Sequence, residues 1–256
     1  MDNSSGFTTL RRYNLIAGTL HAVSALVILV LANSFALPVS ANFMAGPPGA
    51  STKHQMVHFF NIPMAGIIVA FFILSALAHF IVALPMRTTY EAGLAKNQNP
   101  FRWLEYSLSS SLMILAIAQL TGIEDVAALI ALIGVNASMI GFGWMQERYE
   151  EPGASLMPFW LGCVAGVLPW LAIGVYLVGP GARDHAPGFV YGIYVSLFIF
   201  FNCFALVQYL QYRQVGRFRN YLVGEKTYLV LSIAAKSLLA WQIFASTLAS
   251  TQAAGH

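Results

Sequence analysis

About twenty consecutive apolar residues in a helix cross the hydrocarbon core of a bilayer, and this 256-residue chain holds seven such stretches. They lie at about 12–34, 56–84, 101–121, 125–146, 157–178, 188–212 and 226–249. Backbone polar groups in lipid must be satisfied internally, so runs of this length span as helices. They lack the alternation, in segments of about ten residues, that marks a lipid-facing barrel. Charged residues make up 9% of the chain, against roughly 25% in a soluble domain, which excludes a soluble enzyme. The expected fold is an all-α membrane protein, a seven-transmembrane helix bundle forming one domain over residues 1–256, multi-pass in the cell membrane.

Turn chemistry separates the runs at Gly46-Pro47-Pro48-Gly49, Thr121-Gly122, Glu150-Glu151-Pro152-Gly153 and Gly179-Pro180-Gly181. Pro100 suits the first turn of the third helix, with Asn99 as its N-cap. The first run is too long for the apolar region of a cleavable signal and reads as a span. Arg11, Arg12, Arg87, Lys96, Arg102, Arg148, Arg213, Arg217, Arg219 and Lys226 fall on the amino-terminal side, against Lys53 and Arg183 on the other. The positive-inside rule then makes the N-terminus cytoplasmic and the C-terminus extracellular. These loops account for the net charge of +3, so no nucleic-acid partner is implied. Cys163 and Cys203 lie within apolar runs and read as buried small hydrophobes, not as a disulfide. In the outer loop, 35–55, the apolar residues Phe35, Leu37, Val39, Ala41 and Phe43 alternate. A short β-hairpin over the bundle fits that pattern, and an irregular loop fits it equally.

An ionisable group at the centre of a membrane helix costs about 2.5–3.5 kcal/mol and is functional by default. Lys236 stands ten residues into the last run, about 15 Å deep at 1.5 Å per residue. Glu105, His21, His58 and His79 complete the set within the runs; every other acid falls in a loop, a tail or at a helix boundary. Lys236 is either an ion-paired structural lysine or an amine that forms a covalent adduct with an aldehyde. A cationic adduct needs a buried anion, and Glu105 is the candidate by elimination.

Arg102-Trp103-Leu104-Glu105-Tyr106 sets a carboxylate three residues after an arginine, with a lysine in the seventh run. In these features the chain resembles the microbial rhodopsins. More closely it resembles the heliorhodopsin branch, in the stretches Phe101–Ser111, Gly134–Met139, Ala205–Tyr212 and Ala235–Phe244 and in the outer Gly-Pro-Pro-Gly loop. The resemblance implies all-trans retinal held on Lys236 as a Schiff base, Glu105 as its counterion, a cytoplasmic N-terminus, a homodimer and no ion pumping.

Several further residues are candidates for the retinal site. Ser232 lies four residues before Lys236 on the same helical face, where pumping rhodopsins usually carry a second carboxylate. It either bonds near the nitrogen or closes on its own backbone. Ser75 and His79, also four apart, join His21 in a polar patch beside the chromophore; helix–helix contact is the alternative for the histidines. Ser109, one turn after Glu105, is placed to bond that carboxylate, and Tyr106 adjoins it. Asn136 and Met139 fall in a matched stretch, with Asn136 expected to pair across helices. Trp160, Trp170, Phe200, Phe201 and Trp241 are candidates for an apolar slot, or simply for packing. Gly162 and Gly166 have the spacing of a close helix contact, within the bundle or between two copies. Glu147-Arg148-Tyr149 reads like an element of G-protein-coupled receptors, but it ends the fourth helix, and its charges read as solvated caps.

Three functions remain open: a photosensor, a light-driven proton transporter, and a non-photochemical transporter or receptor. Pumping generally needs proton groups on both sides of the nitrogen, and the spans supply one carboxylate, though histidines could substitute. The expectation is therefore a light-sensing retinal protein and not an enzyme. It sits in the lipid bilayer as a homodimer and signals to an unidentified cytoplasmic partner.

Overall fold

The computed structural model describes residues 3–47, 55–179 and 186–253. The helices are α1 (Asn3–Leu31), α2 (Met64–Ala83), α3 (Arg87–Leu94), α4 (Pro100–Leu120), α5 (Val126–Tyr149), α6 (Met157–Val178), α7 (Gly188–Tyr212) and α8 (Tyr221–Ala253). Strands β1 (Ala36–Phe43) and β2 (Gln55–Pro63) lie between α1 and α2. Among the described residues, six helices are long and apolar enough to cross a membrane, so this is a helical membrane protein. The seventh long helix, α4, is less apolar because it carries Arg102, Glu105 and the serines at 107, 109, 110 and 111. Arg102, Glu105 and the serines at 110 and 111 find partners inside the protein.

Local chemistry sets the boundaries. The Asn99 side chain accepts from Arg102 N at 3.1 Å and Pro100 opens α4, where an unused N–H makes proline harmless. Asp125 caps α5 by accepting from Ala127 N and Ala128 N. The second span, expected from residue 56, starts at Met64. Residues 55–63 are β2, antiparallel to β1, with Leu37 opposite Ile62 and a register shift at Val39/Ser40. Apolar side chains at Phe59, Phe60 and Ile62 precede the helix with only Asn61 and Pro63 among them, so the apolar run alone did not place the junction. Val39 enters the main core, while Met56, Phe59 and Phe60 are exposed. The hairpin is tied down by Ser40 N, which donates to Glu124 O at 2.9 Å. Pro48, Gly49 and Lys53 of the outer loop, and Pro180, Gly181 and Arg183, lie outside the described residues.

The first helix begins at Asn3 rather than residue 12, and the last at Tyr221 rather than 226. That earlier start brings Glu225 into α8. The second connection is not a plain loop: α3 packs Tyr90 and Leu94 against Leu10 and Val82. Gly162 and Gly166 face α5, where a Cβ on either would meet Met139. Their spacing serves packing within the bundle.

Candidate functional site

Lys236 and Glu105 meet in the core. Lys236 Nζ donates to Glu105 Oε1 at 2.8 Å and to Ser232 Oγ at 2.9 Å, with lysine and glutamate 3% and 8% exposed. Ser232 is thus turned to the amine and not to its own helix. The Ser75 hydroxyl lies 2.6 Å from Glu105 Oε1 and 2.9 Å from Phe71 O, and donates its single proton to one or the other. Helices α2, α4 and α8 therefore converge on one ion pair. Burying two charges costs several kcal/mol each; these extra hydrogen bonds offset part of it. Tyr106 adjoins the pair, its ring centroid 5.4 Å from Lys236 Nζ, and its hydroxyl donates to Tyr228 O at 3.1 Å.

The two histidines stack on each other beside the pair, ring centroids 5.5 Å apart and 9° from parallel. His79 Nδ1 is 2.8 Å from Asn14 Oδ1. His21 Nε2 is buried with no hydrogen-bond partner among the described residues. Ser109 does not bond Glu105 as expected; its hydroxyl is buried and unpartnered, at the edge of a cavity. Asn136 donates to Ser110 Oγ at 2.8 Å and Ser111 Oγ at 3.0 Å, joining α5 to α4. His58 sits on β2, bonded to Asn61, away from the site.

A cavity of about 260 Å³ opens from Lys236 between α4, α5, α6, α7 and α8. Its lining includes Tyr106, Met139, Trp170, Phe201 and Phe204 as well as Lys236, Ser232 and Ser109. Trp170 forms one wall with Phe198 and Phe201 edge-on to it, at 5.4 and 5.3 Å. Trp160 and Trp241 do not line it. They are 55% and 48% exposed, because each is turned off the lining face of its helix. On α6 that face is Phe159, Gly162, Cys163, Gly166, Val167 and Trp170, a helical repeat that steps past residue 160 by about 100°. Trp241, five residues after Lys236, is about 140° around α8 from it.

The sequence reading took Glu147 and Glu225 as boundary residues. The structure instead buries both on Arg102, which forms ion pairs with the two carboxylates at once. The guanidinium is stacked over Trp103 and Tyr228, 4.5 and 4.1 Å from their ring centroids. Glu147 also accepts from Trp103 Nε1 at 2.8 Å, Asn99 N at 2.6 Å and Tyr221 Oη at 3.1 Å. Glu225 also accepts from Asn99 Nδ2 at 2.7 Å. Spacing held a signal: Glu225, Tyr228, Ser232 and Lys236 follow one face of α8, as Arg102, Glu105 and Ser109 do on α4.

An aromatic-walled cavity with one buried amine in its lining fits a conjugated aldehyde. Its volume is near the lower bound of about 300 Å³ for ligand pockets. Comparison with known proteins agrees. The heliorhodopsin family model matches residues 10–248, and a rhodopsin family implies a retinal chromophore. A search of curated proteins finds no match. Among solved structures, the light-driven proton pump rhodopsin of Coccomyxa subellipsoidea is 18% identical, with a TM-score of 0.65 over 93% of this chain and 96% of that one. A light-driven proton pump from Leptosphaeria maculans is 12% identical, with a TM-score of 0.67 over 93% and 95%. The transmembrane domain and linker of a rhodopsin phosphodiesterase from Salpingoeca rosetta is 14% identical, with a TM-score of 0.69 over 97% and 83%. At these identities the likeness is one of fold.

Proposed function

The chain belongs to the heliorhodopsin family, and from that footing we propose that it is a light sensor holding all-trans retinal on Lys236 and signalling without pumping ions. The observation that carries this reading is the buried Lys236–Glu105 pair at the end of an apolar, aromatic-walled cavity. Retinal, when bound, supplies the visible absorption and the light-driven isomerisation. The chain supplies the rest. Lys236 Nζ would hold the aldehyde covalently, and its nitrogen would carry the positive charge that Glu105 faces at 2.8 Å. Glu105 is the counterion, held in place by Ser75. Trp170, Phe201 and Met139, which line the cavity, would pack against the polyene.

The argument against pumping rests on where the acids sit. Vectorial transfer generally needs proton groups on both sides of the nitrogen. Glu105, Glu147 and Glu225 all lie toward the Arg102 end, and Ser232 offers no charge. Among the described residues, no long helix carries an acid beyond Lys236 in the other direction. In this reading the chain is a receptor and not an enzyme, a single seven-span domain in the cell membrane. Loop charges support a cytoplasmic N-terminus and an extracellular C-terminus. The signal then passes, from a homodimer, to an unidentified cytoplasmic partner.

Illuminating cells that express the protein with retinal, while recording external pH, is expected to give no sustained shift. A sustained, protonophore-sensitive shift would replace sensing with light-driven proton transport, the activity named for the Coccomyxa and Leptosphaeria proteins.

A further inference from the structure

A second, smaller chamber of about 40 Å³ lies on the other side of Glu105 from the retinal cavity. Glu105 and His79 line it at one end and Arg102 and Glu225 at the other, with Asn14 and Tyr90 between. A buried water needs about 10–15 Å³ of such space and two to four polar partners. The chamber therefore has room for a short water chain from Glu105 to Glu225. The two carboxylates are not bonded to each other, so water is the link the geometry allows.

Charge counting singles out one end of that link. Lys236 and Glu105 compensate each other. Arg102 faces two carboxylates, Glu147 and Glu225, all three groups being buried. One negative charge is left over. The other titratable groups around them are His21, His79 and the phenols of Tyr90, Tyr106, Tyr212, Tyr221 and Tyr228, none of which supplies a compensating cation in its neutral form. An uncompensated charge in a low-dielectric interior is costly, and binding one proton removes it. A proton on His79 would instead add a positive charge beside a neutral pair.

Between the two carboxylates, the hydrogen bonds decide. Glu147 is held as an anion by donors from Arg102, Trp103, Asn99 and Tyr221. Glu225 has Arg102 and Asn99 and shares the single Tyr221 hydroxyl proton with Glu147, so it lacks the Trp103 and backbone Asn99 donors that Glu147 has, and it alone of the two lines the chamber. Donors to a carboxylate favour its charged form, so Glu225 is the weaker-held anion. Glu147 and Tyr221 face the surface cleft beyond, with Arg102 standing between that cleft and the chamber.

We propose that Glu225 is an internal proton store, reached from Lys236 through Glu105 and the water chamber. This rests on the assignment of Lys236 as the retinal site. The N–H bond at Lys236 Nζ breaks as an O–H bond forms on Glu105. Chamber water then takes the Glu105 proton while passing one to Glu225, so Glu225 is neutral, Glu105 is ionised again, and the one unpaired negative charge has moved from the Arg102 cluster to Glu105. Arg102 keeps Glu147 as its partner, and the proton stays inside the protein until it returns by the same path.

Light-minus-dark infrared spectra of the retinal-bound protein test this. Wild type is expected to gain a carboxylic-acid C=O band while its visible band is lost, and to lose it on recovery. Glu225→Gln should abolish that band, and Glu147→Gln should keep it. Ala78→Val, which narrows the chamber while leaving every carboxylate in place, should diminish the band and serves if Glu225→Gln does not fold. In retinal-free protein, acid titration should raise a carboxyl band that Glu225→Gln removes and Glu147→Gln retains. An undiminished light-induced band in Glu225→Gln, or in Ala78→Val, overturns the proposal. Wild type that takes up no retinal would instead defeat the underlying assignment.

Discussion

Replacing Glu105 by Gln is expected to shift the visible absorption of the retinal-bound protein to the red and to make its colour fade at lower pH than in wild type. The physical reason is the single-carboxylate site. The cation at Lys236 Nζ has Glu105 Oε1 at 2.8 Å and only the neutral Ser232 as its other hydrogen-bond partner. Gln keeps the shape and removes the charge. Losing one partner of a buried pair typically costs about 3–5 kcal/mol, and about 1.4 kcal/mol corresponds to one pH unit of titration. The midpoint at which the visible band is lost should therefore fall by roughly two to four pH units. A spectrophotometric titration reads both effects; an unchanged spectrum and midpoint would reject Glu105 as counterion.

Arg102→Met should destabilise the protein severely, because it strands Glu147 and Glu225 as unpaired carboxylates. By the same measure of about 3–5 kcal/mol for breaking a buried pair, thermal unfolding should move well down or the folded yield should collapse. The network joins α4, α5 and α8, so the loss is one of fold and not only of colour. Adding Glu147→Gln and Glu225→Gln to Arg102→Met removes the stranded charges and should recover much of the stability. If Arg102→Met alone unfolds at the wild-type temperature, the cluster has been assigned the wrong energetic role.

The positions of the long helices were legible because a twenty-residue apolar run has one solution in lipid. So was the central pair: a lysine and a glutamate that deep must find each other. What escaped has a common cause, the direction a side chain faces. Glu147 and Glu225 sit at helix ends, where a carboxylate reads as solvated, and the arginine that buries them is 45 and 123 residues away in sequence. Trp160 and Trp241 had the right chemistry on the wrong faces. Trp170, by contrast, falls on the i, i+3, i+4 repeat that builds the α6 wall. The start of α2 was misplaced because the apolar residues Met56, Val57, Phe59, Phe60 and Ile62 of β2 lead directly up to the helix.

The measurement that bears most directly on the central claim is the absorption spectrum after adding all-trans retinal to wild type and to Lys236→Ala. The account predicts a visible band in the green for wild type and none for the variant, since no other lysine lies at the cavity. Two colourless samples, or a Lys236→Ala protein coloured like wild type, would contradict it.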